Sequence, residues 1–199
     1  MDLQELTKQV IDRLFVQVEA SGRHVHVTAD QALALFGHPL TPQRELSQPG
    51  QFVAKERVTV VGPKGKFENV AVLGPERPEG QVEISITDGR TLGIDPPVRL
   101  SGDVAGTPGA VLQGDKGQVQ LKQGVIAAQR HIHVSPADAE RFHVKDKQVV
   151  KLQTLTSRPV VFDRVTVRVH PAFQTSVHLD YDEANACGFQ KGDLGRIIP

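Results

Sequence analysis

Four of the chain's eight histidines stand in two copies of one pattern, RHVHV at residues 23–27 and RHIHV at 130–134, 107 positions apart. In a strand the side chains at i and i+2 share a face, so His24 and His26 point the same way, as do His131 and His133. Imidazole nitrogen is a good ligand for zinc and its neighbours, so each HxH is a bidentate pair. A third protein ligand would complete a site that keeps a position open for water or substrate. One HxH alone is weak, because a paired-histidine strand is often just a solvated face. The duplication strengthens it. FENVAVLGP from Phe67 resembles FDRVTVRVHP from Phe162, and sixteen residues beyond each phenylalanine stand Glu83, in QVEIS, and His178, in SVHLD. The expectation is two metal sites, His24/His26/Glu83 and His131/His133/His178, each with the open coordination of a catalytic centre.

Arg77, in LGPERPEGQVEIS, has no counterpart, since Ala172 takes its place in the second half. Its guanidinium is a planar fork suited to phosphate or carboxylate, and it lies on the approach to the strand bearing Glu83. The competing reading is a surface arginine in a turn between two prolines. Cys187, in DEANACGF, follows a run that reads as a capped helix with Asp182 as its cap, so a buried thiol is expected rather than an acyl-accepting nucleophile. GPKGK at 62–66 lacks the P-loop spacing and reads as a hairpin turn between strands. His38, His143 and His170 show no partner spacing and read as surface or turn residues.

Several elements must hold these residues in place. LQELTKQVIDRLF, residues 3–15, sets Leu3, Leu6, Val10, Ile11 and Leu14 at helical spacing. Short alternating runs follow: VTVV at 58–61, NVAVL at 69–73, QVEISI at 81–86, VVKL at 149–152, PVVFDRVTVRV at 159–169 and SVHLD at 176–180. After each HxH comes a Ser or Thr cap and an Ala-rich run, TADQALALF and SPADAERF, suited to a short helix. The predicted fold is mainly β: two homologous small β-barrel domains capped by short helices, plus the N-terminal amphipathic helix. The boundaries read as 1–17 for that helix, 18–100 for the first barrel, 101–119 for a Gly-rich connecting loop and 120–199 for the second barrel.

Composition narrows the partners. Lys plus Arg and Asp plus Glu are 23 each, so no long-range field attracts nucleic acid or an anionic membrane. The single cysteine excludes an internal disulfide, no apolar run approaches the roughly 18 residues that span a bilayer, and the N-terminus does not read as a secretory signal. A cytoplasmic, reducing compartment is expected.

Together, SGRHVHVT, LGPERPEGQVEISITDGRTLG, RLSGDVAGTPG, GVIAAQRHIHVSPADA and HLDYDEANACG resemble the PduL-type phosphotransacylases, the phosphate propanoyltransferases, over nearly the whole chain after the first helix. The resemblance implies two β-barrels, two zinc ions and exchange of coenzyme A for phosphate on a short acyl group. It places the first zinc on His24, His26 and Glu83, where the coenzyme A sulfur approaches, and the second on His131, His133 and His178. Cobalt or nickel are substitutes such sites accept. Arg77 falls on the family's phosphate-binding arginine. The departures are mild: SGRHVH stands where an SNRHVH-like run is common, and the C-terminus ends DLGRIIP. The implied reaction is direct attack of phosphate on the thioester carbonyl, with no acyl-enzyme. The first helix resembles the peptide that recruits such enzymes into a bacterial microcompartment, through shell or enzyme partners, and a homo-oligomer is expected. Two rival readings are a dinuclear-zinc hydrolase of thioesters or phosphoesters, and a non-catalytic metal-binding interaction module.

Overall fold

The computed structural model describes residues 2–198. In chain order the elements are α1 (Leu3–Leu14), β1 (Val16–Ser21), β2 (His24–His26), α2 (Ala29–Phe36), β3 (Pro42–Glu45), β4 (Phe52–Val61), β5 (Lys66–Gly74), β6 (Gln81–Ile84), α3 (Ile86–Leu92) and β7 (Val98–Arg99). There follow β8 (Ala110–Gln113), β9 (Gln118–Leu121), β10 (Val125–Ala128), β11 (His131–Val134), α4 (Pro136–Arg141), β12 (Val149–Leu155), β13 (Val161–Val169), β14 (Ser176–Asp180), α5 (Tyr181–Cys187) and β15 (Leu194–Ile198). The fold is mainly β, as the alternating runs predict.

The chain divides into two compact units, one formed by residues up to Ser21 with those from Gln129 onward, the other by Gly22–Ala128. In the first, β1, β14, β11, β13, β12 and β15 form a closed barrel in that order. The closure is the antiparallel pairing of β15 with β1 at Val16↔Gly195. In the second, the order β7-β10-β6-β2-β5-β4-β8-β9 makes an open nine-stranded sheet, with β3 added to β4. The series β10, β6, β2, β5, β4, β8 repeats the barrel series β1, β14, β11, β13, β12, β15. This sheet stays open because β7 pairs with β10 and β9 with β8, occupying the two edges that close the barrel in the other unit.

The division differs from boundaries at 18–100 and 120–199, for a physical reason. Val18–His24 and Val125–His131 are equivalent stretches of the repeat, yet β1 pairs with β14 in parallel (Glu19↔His178) while β10 pairs with β6 in parallel (Ile126↔Glu83). Each repeat therefore lends its leading strand to the sheet of the other. Residues 101–119 are likewise not a plain connector: they hold β8 and the start of β9, a hairpin tied at its turn by Gly114 N–H to the Gly117 carbonyl at 2.9 Å.

Each unit has its own apolar core. Ile132, Leu152, Val165, Val167, Val177 and Leu179 fill the barrel, and Val25, Val27, Leu35, Val72, Leu92 and Leu112 lie under the open sheet. Burying each such side chain contributes roughly 1.5–3 kcal/mol, so the strands bearing the histidines are held from behind by their intervening residues. The short helices begin at side-chain caps that take up orphan amide protons. Thr28, Ser85 and Asp180 form capping boxes with Gln31, Asp88 and Glu183, and Ser135 caps α4 ahead of Pro136. Two local expectations are corrected. QVEISI is strand only to Ile84, because the Ser85–Asp88 box starts a helix there. The cap of α5 is Asp180 rather than Asp182.

Candidate metal centres

The strand register brings the predicted residues of each set together. In the open sheet, His24 of β2 lies opposite Glu83 of β6, and His26 opposite Gln81. In the barrel, His131 of β11 lies opposite His178 of β14, and His133 opposite Ser176. The two sets, His24/His26/Glu83 and His131/His133/His178, each present ligand atoms within 4.8 Å of one another.

In the first set all three residues are buried, and His24 Nε2 and His26 Nε2 stand 3.5 and 3.9 Å from Glu83 Oε1. Metal bonds of about 2.0–2.1 Å at tetrahedral angles would separate two donors by roughly 3.4 Å, so the spacing suits a small divalent ion after slight side-chain adjustment. The second nitrogen of each ring is already used: His24 Nδ1 meets the Gly22 carbonyl at 2.8 Å and His26 Nδ1 the Leu73 carbonyl at 3.2 Å. A carbonyl only accepts, so these contacts keep the proton on Nδ1 and turn the Nε2 lone pairs toward Glu83.

The charges agree with that role. Burial opposes ionisation of Glu83, but His24 and then His26 outweigh it and hold the carboxyl well below the usual carboxylate range. Burial likewise works against a charged His24, and the Glu83 carboxylate overcomes it, raising that imidazole. His26 is lowered well below its ordinary value by burial, by His24 and by Arg77. The anionic carboxylate and the neutral His26 suit a cation, and an ion taking the place of the proton that Glu83 favours on His24 would complete the donor set.

In the second set His131 and His133 are buried and His178 is half-buried. The His131 and His178 rings stack at 5.1 Å with 9° between planes, and His133 lies 4.7 Å from His178. His131 Nδ1 meets the Gln129 carbonyl at 2.8 Å, repeating the His24–Gly22 contact. Three imidazoles with no carboxylate among them form a neutral donor set, which also suits zinc and its neighbours.

Arg77 sits half-buried between β5 and β6, anchored by its own N–H to the Val27 carbonyl at 2.9 Å. Its Nη1 donates to Ser101 Oγ at 3.0 Å, and Gln81 Nε2 donates to the same oxygen at 2.9 Å and to Glu83 Oε1 at 2.6 Å. Gln81 Oε1 in turn accepts from the Gly102 amide at 2.7 Å. One continuous chain thus links the arginine, the 101–102 turn and the metal-facing carboxylate. Sequence reasoning missed Gln81 and Ser101. The i, i+2 relation of Gln81 to Glu83 was a readable signal; Ser101 lay in a stretch read as connector.

The arginine that opens each pentapeptide has a structural task. Arg23 grips Asp88 through Nε at 3.1 Å and Nη2 at 2.7 Å and lies over the Phe67 ring at 4.1 Å. Arg130 contacts Glu183 at 2.5 Å and lies over Phe162. Each ties its HxH strand to the acidic N3 residue of the helix that follows the third ligand. Cys187 is buried, with Sγ 3.4 Å from the Ala184 carbonyl, and burial pushes its thiol up. GPKGK closes the β4–β5 hairpin through Gly62 N–H to Gly65 O at 2.9 Å. His38, His143 and His170 lie outside both sets.

Comparison with known proteins places this architecture in the phosphate acyltransferases. The family model described as phosphate propanoyltransferase matches residues 17–190. Proteins of that name from Listeria monocytogenes, Thermotoga maritima and Salmonella typhimurium are 54%, 52% and 44% identical, covering 98%, 91% and 94% of this chain and 93%, 88% and 91% of their own lengths. The chain belongs to the phosphate propanoyltransferase family.

Proposed function

We propose that the protein is a zinc-dependent phosphate acyltransferase that interconverts short-chain acyl-CoA plus phosphate with acyl phosphate plus coenzyme A, on acetyl or propanoyl groups. The observation that carries this reading is the hydrogen-bonded chain from Arg77 through Ser101 and Gln81 to Glu83, which couples an anion-binding fork to a buried donor set. His24, His26 and Glu83 would hold one ion and His131, His133 and His178 the other. A bound zinc supplies Lewis acidity that stabilises a thiolate and polarises a carbonyl.

The remaining work falls to this chain's own groups. Arg77 binds two oxygens of phosphate in a bidentate grip, and Ser101 fixes the guanidinium so that a third oxygen faces the thioester carbon. That oxygen forms the new bond to the acyl carbon as the carbon–sulfur bond breaks. Sulfur leaves with the electron pair as thiolate and, when coenzyme A departs, takes up through water the proton that the attacking hydrogen phosphate gives up. No covalent enzyme intermediate is needed, which agrees with the burial of Cys187.

The test is coenzyme A release from acetyl-CoA and propanoyl-CoA with and without phosphate, with metal counted by elemental analysis. The expected result is phosphate-dependent release matched by acyl phosphate, two ions per chain and loss of activity on chelation. Phosphate-independent release would make the protein a hydrolase. Bound metal with no turnover would make it an interaction module.

The described part of the first helix supports a second element of the proposal. Asp2 caps α1, and its Leu3, Leu6, Val10, Ile11 and Leu14 are all exposed. We infer that this stripe docks on shell or enzyme partners of a bacterial microcompartment in the cytoplasm and that copies of the chain associate. No helix among the described residues is long and apolar enough to cross a membrane. Deleting residues 1–15, which leaves β1 intact, should preserve turnover and metal while abolishing co-purification with shell and weakening self-association. A truncated chain that loses metal would place the helix in the fold instead.

A further inference from the structure

The duplication assigns every ligand a counterpart, and one residue beside the second centre breaks the pairing. Across the barrel, β1, β14 and β11 set Glu19, His178 and His131 side by side in register. Across the open sheet, β10, β6 and β2 set Ile126, Glu83 and His24 in the same row. Where the first centre has an apolar isoleucine behind its third ligand, the second has a carboxylate. Glu19 Oε2 lies 3.8 Å from His178 Nε2, and the Glu19 side chain keeps only 33% of its exposure. The same nitrogen meets Ser176 Oγ at 3.0 Å. Glu19 is not one of the three residues whose ligand atoms cluster within 4.8 Å, and its contact with the set is through His178.

We propose that Glu19 is a positioning residue of the second centre: its carboxylate, facing His178 Nε2 at 3.8 Å, favours by charge a proton on that nitrogen, which Ser176 Oγ accepts at 3.0 Å, so that the other ring nitrogen, Nδ1, is presented to the metal ion. The inference rests on His131, His133 and His178 forming a metal centre. A negative charge beside Nε2 favours the proton there, which selects the tautomer and makes the remaining nitrogen a stronger donor. Ser176 alone does not fix the tautomer, because a hydroxyl both donates and accepts. His24, His26 and His131 have the opposite arrangement, with Nδ1 against a carbonyl. Each centre then has one carboxylate: Glu83 among the donors of the first, Glu19 beside His178 of the second. The electrostatic consequence is that the second ion keeps more of its positive charge toward its open positions.

The test is a zinc titration of metal-free protein against a chromogenic chelator, with the visible spectrum of the cobalt-loaded form as a second readout. Glu19→Gln removes the charge and keeps the shape, and Glu19→Ile installs the residue found at the equivalent position. In both variants one of two ions is expected to bind about 10–100-fold more weakly, the other unchanged, with altered cobalt bands for the weakened ion only. His178→Ala, which removes that ion altogether, identifies which site has moved. Two ions bound with wild-type affinities and spectrum in both variants would overturn the proposal, whatever the melting temperature of the metal-free forms. A wild-type chain that binds no ion, or retains both in His178→Ala, would instead refute the second centre itself.

Discussion

The two centres are copies that diverged in one donor and in the residue beside it. Glu83 answers to His178, and Gln81, which donates to Glu83, answers to Ser176, which meets His178 at 3.0 Å. With a divalent ion bound, the first donor set leaves a residual charge of +1 and the second +2. In the proposed enzyme that difference would favour a single thiolate at the first set and leave more attraction for an anion at the second. Arg77, also without a counterpart, is tied to the first centre through Ser101. Duplication thus supplied the scaffold twice, and on the proposed reading the unlike residues Glu83/His178 and Arg77/Ala172 divide two tasks between the copies.

The largest effect should come from abolishing one centre at a time. His24→Ala and His131→Ala are each expected to reduce bound metal from two ions to one and to lower turnover about 1,000-fold, since a metal ion supplies several kcal/mol of transition-state stabilisation. Elemental analysis and steady-state kinetics check this. Equal activity in either variant would show that one centre is structural and end the division of tasks.

Arg77→Ala comes next, with an effect confined to one substrate. Losing a charged bidentate contact removes about 1.5–3 kcal/mol, so the KM for phosphate should rise roughly 10–100-fold while that for acyl-CoA stays within about twofold. A matched rise in both would mean that Arg77 holds the 101–102 turn and does not read phosphate.

Gln81→Ser installs the counterpart residue and should give a smaller loss. Glu83 would lose a 2.6 Å donor and the 101–102 turn its anchor, weakening the first ion about tenfold without touching the second. Metal competition with a chelator measures it. If the second ion weakens instead, the internal alignment of the two centres is mistaken.

How these residues could be read from sequence follows from the range of the contacts. The HxH faces were legible because period two is local, and Glu83 and His178 because the repeat carried their spacing from Phe67 and Phe162. Ser101 was not, since it reaches Gln81 across twenty positions with no periodic signal. The exchange of β1 and β10 was hidden for a related reason: homology says which strands correspond, and pairing decides which sheet each joins. Ser85 and Ile86 read as strand because QVEISI alternates, and the Ser85–Asp88 capping box overrode that alternation after Ile84.

Cys187 gives the smallest expected effect and closes the comparison from the side of the core. It ends α5 just before Gly188, as Leu92 ends α3 just before Gly93, and both glycines cap in the left-handed region, at φ 63° and 73°. The duplicate therefore packs leucine where this half packs a thiol, both fully buried. A nucleophile would need access to substrate and an environment that favours thiolate, whereas burial here pushes the thiol up. Cys187→Ala should keep kcat and both KM values within about twofold and lower stability by about 1–2 kcal/mol through the small cavity it leaves. Turnover and a thermal melt on the same metal-loaded preparation separate the two effects. A folded variant with both ions bound and no turnover would restore an acyl-cysteine route and remove direct phosphate attack from the mechanism.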